Sequence, residues 1–172
     1  MKSCFMFGHR DVSDGILEKL ILSVEQLYVN HNITIFYVGG YGMFDCYAGA
    51  AVKAVRDRFP DISLYRVTPY HPAIRPIILP EGYDGSFYPP LANVPAKYAI
   101  PKANQYMVRN CDAILCYVKY CGNSKTLLEL AISRATKEPL IIENIGECFC
   151  IDSGSDRTKH EPRNDLYAEH TK

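Results

Sequence analysis

The residues best equipped for chemistry stand together in Tyr120-Cys121-Gly122-Asn123-Ser124-Lys125-Thr126-Leu127-Leu128-Glu129. The apolar run Ala113-Ile114-Leu115-Cys116-Tyr117-Val118 leads into it. Leu127, Leu128, Leu130, Ala131, Ile132 and Ala135 follow at the spacing of a buried helix face. The stretch therefore reads as strand, small polar loop and helix N-terminus. The first N–H groups of a helix have no partner within it, and together with the helix dipole they favour an anion. Gly122, Asn123, Ser124, Lys125 and Thr126 are placed to cradle a phosphate. Glu129, about one turn in, is placed to hold ribose hydroxyls. The same pattern also suits a helix merely capped by Asn123 or Ser124, with Glu129 in solvent. A P-loop is a poor fit, because its two glycine positions hold Lys119 and Ser124.

Two further strand ends carry candidate ligands. Ser3 to Phe7 reads as a buried strand closed by Gly8-His9-Arg10. Arg10 offers paired N–H donors to a phosphate, and His9 could donate as well. Ile33 to Val38 is a second strand, closed by Gly39-Gly40-Tyr41-Gly42. Glycines there let a ligand approach the backbone, although their spacing is not that of the dinucleotide fingerprint. Asp45 follows, as a helix cap or a ribose ligand.

Helices and strands must alternate to position these loops. Ser13 or Asp14 caps a helix with Leu17, Leu20, Ile21, Val24 and Leu27 on one face. Ala48, Ala51, Val52, Val55 and Phe59 give the next helix its buried side. Asp61 to Thr68 is a third strand, Ala99 to Asn110 a short helix with Met107, and Leu140-Ile141-Ile142 a fifth strand. This β-α-β rhythm predicts an α/β, Rossmann-like, doubly wound and mainly parallel sheet of about five strands. Ligands of such sheets gather beyond the C-terminal strand ends.

Between Pro69 and Pro101 stand eight of the eleven prolines, a density that works against regular helix or sheet. Tyr70 and Tyr88 lie in this segment, which reads as a lid or wall (69–101) able to stack a ring on a base, or alternatively as the plug of a subunit interface in a homodimer. The domain spans 1–146, and 147–172 reads as a polar tail.

Composition narrows the function. With 48% hydrophobic and 22% charged residues, the chain has the make-up of a globular domain. Nineteen basic residues balance nineteen acidic ones, which argues against a large nucleic-acid face while leaving room for a local basic patch, and makes a nucleic-acid partner unexpected. Cys4, Cys111 and Cys116 lie in or beside apolar runs, and Cys148 and Cys150 lack zinc-finger or redox spacing. Reduced thiols, a cytoplasmic location and no metal are the expectation. The apolar start Met1 to Phe7 is short for a signal peptide and no apolar run reaches about 18 residues, so neither a leader nor membrane association is expected.

The order of these motifs resembles the Smf/DprA-LOG (SLOG) superfamily, and most closely its short uncharacterised bacterial proteins with a Gly-His-Arg start. The resemblance rests on Gly8-His9-Arg10, Val38-Gly39-Gly40, Asn104-Gln105-Tyr106-Met107, Asp112-Ala113-Ile114 and Gly122 to Glu129. It covers about residues 3 to 145 and implies a Rossmann-like fold, a homodimer and a nucleotide-type ligand, with no separate cofactor. On this resemblance Asn104 and Met107 join the ligand-binding residues. The Lonely guy phosphoribohydrolases of the superfamily carry P-G-G-x-G-T-x-x-E. Gly122, Thr126 and Glu129 match it, while Cys121, Asn123 and Lys125 replace the proline and two glycines. Their arginine ahead of the methionine is also missing, since Pro101-Lys102-Ala103-Asn104 stands there. The expected function is thus binding of a nucleotide or ADP-ribose-type molecule, as a sensor or sequestering protein. The alternative is an N-glycosidase acting on nucleoside monophosphates, with Glu129 catalytic only in that case. A third reading is a protein- or DNA-binding module that has kept the fold and lost the ligand.

Overall fold

The computed structural model describes residues 1–13, 15–91 and 94–146. The expected tail, Asp14 and the pair Cys148 and Cys150 lie outside the described residues.

The chain runs β1 (Lys2–Gly8), α1 (Ile16–His31), β2 (Ile33–Val38), α2 (Met43–Arg56), β3 (Ser63–Val67), β4 (Gly85–Phe87), α3 (Ala96–Asn110), β5 (Ala113–Tyr117), α4 (Asn123–Ala135) and β6 (Ile141–Asn144). Among the described residues six strands form a parallel sheet in the order β4-β3-β2-β1-β5-β6. The α/β, Rossmann-like expectation holds, with one strand more than expected.

Alternation along β1 shows why both faces are covered. Successive side chains of a strand point to opposite faces. Cys4 and Met6 pack into a core with α1 and α2 residues such as Leu20, Val24, Ala48 and Val52. Phe5 and Phe7 enter a second core with Met107, Val108, Leu127 and Ala131 of α3 and α4. A parallel strand buried on both sides reads as a continuous apolar run, as β1 and β5 do. From β1 the chain winds outward through β2, β3 and β4, then returns to place β5 on the other side of β1. The reversal between β1 and β5 opens a crevice at their C-terminal ends.

Three local expectations are corrected. The proline-rich segment is not wholly irregular, because Gly85-Ser86-Phe87 pairs with Tyr65-Arg66-Val67 as an edge strand. Edge strands tolerate neighbouring prolines better than central ones. Helix α3 begins at Ala96, earlier than expected, and carries Pro101 in its second turn, where it removes one bond of the helical ladder. Helix α2 ends at Arg56, so Phe59 lies beyond it and packs on Tyr28 with ring centroids 4.5 Å apart. Among the described residues no helix is long and apolar enough to cross a membrane.

Candidate functional site

At the crevice between β1 and β5, three strand-to-helix loops enclose a cavity of about 380 Å³, within the size range of small ligand sites. Gly8, His9 and Arg10 contribute from β1, Gly39, Tyr41 and Gly42 from β2, and Tyr120 to Ser124 from β5. Phe44, Asp45, Ile100, Asn104 and Leu127 complete the wall from the helices.

Each loop is held by identifiable bonds. The N–H of His9 donates to the Tyr117 carbonyl at 3.1 Å, extending the pairing of β1 with β5. His9 Nε2 accepts the backbone N–H of Lys119 at 2.9 Å and of Tyr120 at 3.3 Å. Its ring lies flat against Tyr120, with centroids 3.6 Å apart and planes 5° apart. His9 therefore shapes the wall, its Nε2 lone pair already committed to the loop. Behind the loop, Asn144 Oδ1 accepts the Val118 N–H at 2.9 Å, and its Nδ2 donates to the Val118 carbonyl at 3.1 Å.

On the β2 side, Asp45 accepts the Tyr41 N–H at 2.8 Å and also bonds the Gly42 N–H. A carboxylate in the first helical turn reaching back to the preceding N–H groups is one half of a capping box. Burial raises the Asp45 pKa, while those N–H bonds and the nearby Arg66 charge oppose the rise. Asp45 is thus occupied as a cap. The Met43 N–H donates to the Arg10 carbonyl at 2.8 Å, joining the first two loops. That approach needs Gly42, since a Cβ there would fall 2.9 Å from Arg10 Cα.

At α4 the expected side-chain cap is absent among the described residues. Gly122 is the N-cap, and Ser124 Oγ instead donates to the Gly8 carbonyl at 2.8 Å. Gly122 has φ +149°, a conformation open to glycine and strained for other residues. The cavity thus opens onto an α4 N-terminus without a side-chain cap, which favours negative charge.

Of the candidate residues, Gly8, His9, Arg10, Gly39, Gly42, Asp45, Asn104, Gly122, Asn123 and Ser124 line this one cavity. The others do not join the lining. Met107 is 2% exposed and packs in the core. Tyr88 donates from its hydroxyl to the Leu91 carbonyl at 3.1 Å and lies edge-on to His71. Gly40 and Tyr70 face neighbouring cavities. Lys125 Nζ lies 3.8 Å from Cys121 Sγ, and Thr126 Oγ1 lies 3.5 Å from the Gly122 carbonyl. Glu129 is exposed and lies outside the lining. Sequence reasoning missed Tyr41 and Tyr120, which are 43% and 53% exposed at the cavity mouth. It also missed Arg66, whose strand position is given away only by the glycine facing it.

Burial lowers the His9 pKa below its ordinary 6.5. A base whose folded pKa is lowered contributes stability that is present above the unfolded value and lost as pH falls through the folded one. The wild type is therefore expected to lose more stability on the acid side of 6.5 than His9→Phe, which keeps the ring but cannot titrate. Thermal melts of both chains across that range measure the difference, and parallel profiles would show that His9 does not couple to the loop.

No protein-family profile matches the chain, and no curated protein does. Solved structures do. DNA processing protein A (DprA) from Streptococcus pneumoniae matches with TM-score 0.55 and 17% identity, covering 78% of this chain and 48% of that one. DNA processing protein A from Helicobacter pylori matches with TM-score 0.53 and 15% identity, covering 82% of this chain and 64% of that one. The chain thus spans between about half and two thirds of these proteins, and at such identities the likeness is one of fold. It agrees with the superfamily resemblance at that level. The Helicobacter pylori structure is described as having a single-stranded DNA binding mode. This runs against both small-molecule readings, the sensor of nucleotides or ADP-ribose and the phosphoribohydrolase, and against setting nucleic acid aside. The physical error lay in reading net charge, a sum over the whole surface, as a statement about one edge of the sheet. The homodimer expected by resemblance gains no support from these neighbours.

Proposed function

We propose that this chain binds single-stranded nucleic acid at the C-terminal edge of its sheet, with the cavity between β1 and β5 as its centre. The observation that carries this reading is the flat-stacked pair of His9 and Tyr120 at the cavity mouth. His9 covers one face of the Tyr120 ring, and Tyr120 as a residue remains 53% exposed. It is a stacking platform fixed before any ligand arrives. Stacking of a base on an aromatic side chain contributes about 1–3 kcal/mol and tolerates any sequence. A base inside a duplex has both faces covered, so the platform favours unpaired strands. Exposed Tyr41 stands on the facing loop, Arg10 on the rim, and the α4 N-terminus offers N–H donors to a phosphate. The single-stranded DNA binding described for one fold neighbour agrees with this chemistry.

The proposal takes the residues gathered around the cavity as the binding set and carries the superfamily resemblance with it. The test is fluorescence anisotropy of a labelled oligothymidine of about 20 nucleotides against a hairpin duplex of equal length, between about 50 and 200 mM salt. Saturable, salt-weakened binding that prefers the single strand is expected. No binding of the single strand, or equal binding of the duplex, would overturn the reading.

A further inference from the structure

A second cavity, also about 380 Å³, adjoins the first beyond the end of β3. Tyr41 lines both and stands between them along the sheet edge. Its other walls include Arg66, Tyr70, Arg75, Ile77 and Ile78. The first cavity sets Arg10 against Asp11 and Asp45. The charged residues lining the second are both arginines, with no carboxylate among its described lining residues. In a chain of net charge zero, this is a local positive end.

Both arginines are built into place. Arg66 Nη2 donates to the Gly40 carbonyl at 3.4 Å, and its guanidinium fills the space where a side chain on Gly40 would stand. Asp45, across a third cavity that Arg66 also lines, offsets part of its charge. Arg75 is exposed. A turn in which the Arg75 N–H donates to the His71 carbonyl at 3.0 Å folds it back, with its guanidinium 4.8 Å from the Tyr70 ring centroid. The Tyr70 hydroxyl reaches the Ala96 carbonyl at 3.4 Å, tying the ring to the start of α3. A guanidinium held over an aromatic ring keeps N–H donors at its edge for a phosphate and its outer face for a base.

We propose that this second cavity holds the neighbouring nucleotide of the strand, its phosphate taken by Arg66 and Arg75 and its base laid along Tyr70, Arg75 and the isoleucines. The proposal rests on the single-strand reading above. It makes the proline-rich segment a ligand-bearing wall and gives the edge a second anchoring point.

The test uses the full chain, oligothymidine and two variants, Arg66→Gln and Arg75→Gln. Each is expected to weaken binding about 10-fold, the loss of one charge-assisted bond, and to flatten the salt dependence by about 0.7 in slope. Arg75 is exposed, so its variant reports binding even if Arg66→Gln disturbs the loop. In the second arm the oligothymidine is shortened to the minimal length that still binds, which leaves one register, and a methylphosphonate replaces single phosphates along it. One position is expected to weaken wild-type binding while adding no further loss to Arg75→Gln. If the wild type binds no oligonucleotide, the single-strand reading itself falls. If it binds, and both variants keep its affinity and salt slope, the second cavity is not a subsite and only this inference is overturned.

Discussion

Tyr120→Ala is expected to bind oligothymidine about 5- to 150-fold more weakly than the wild type, with little change in global stability. The range is the free energy of one base stacked on an aromatic ring, about 1–3 kcal/mol, converted to affinity. Global stability changes little because Tyr120 is an exposed residue and its stacking partner His9 keeps its backbone bond to Tyr117. Tyr120→Phe is expected to bind nearly as well as the wild type, since the ring face carries the interaction. The two variants together separate stacking from hydrogen bonding by the hydroxyl. Anisotropy titrations measure both, and thermal melts confirm folding. Wild-type affinity in Tyr120→Ala would remove the platform from the site. Equal losses in both variants would move the interaction to the hydroxyl. A second readout is internal. His9 owes its lowered pKa to burial, and Tyr120 covers one face of its ring. In Tyr120→Ala the imidazole is expected to titrate closer to its ordinary value, visible in its proton resonances.

The parts of this edge legible in the sequence were those with a local signature. The apolar runs of β1 and β5 are continuous because both faces of a central parallel strand are buried. The small residues after β1, β2 and β5 marked where the backbone must be approached closely, and these loops meet at the cavity. Other features depended on partners distant in sequence. Arg66 looks like any polar residue of a strand, and its role follows from Gly40 making room for it across the β2–β3 pairing. Tyr41 and Tyr120 lie within the glycine-bearing loops, but nothing local says that one ring is stacked on His9 and both border the same opening. Strand β4 is three residues long, too short for a periodicity, and is defined by its pairing with β3. Met107 was placed at the site by resemblance alone, whereas the alternation of α3 turns it into the core beside Phe5 and Phe7. Glu129 shares a helix with the Gly122 loop, yet the helix turns it to solvent. Distance along the chain from a phosphate-type loop does not fix which way a carboxylate faces.

The largest loss of stability is expected from Phe44→Ala, at about 3–5 kcal/mol, the cost of removing a buried phenyl ring. Phe44 is 1% exposed at the second position of α2 and lines the cavity from below. A domain of this kind holds about 5–15 kcal/mol in total, so urea denaturation should show a large fall in midpoint. The packing partner that makes the effect specific is Gly8. A Cβ there would fall 2.5 Å from the Phe44 ring, so Gly8→Ala alone is also expected to destabilise, by overpacking. The double variant then gives a sharper test than either single one. With the ring gone, the new methyl group enters the space it vacated, and Gly8→Ala should cost little or even help. The double variant is therefore expected to be more stable than the sum of the single losses, because residues in contact do not add. Strict additivity would mean that the ring moves off Gly8 at no cost, and that the end of β1 and the start of α2 do not jointly form the floor of the cavity.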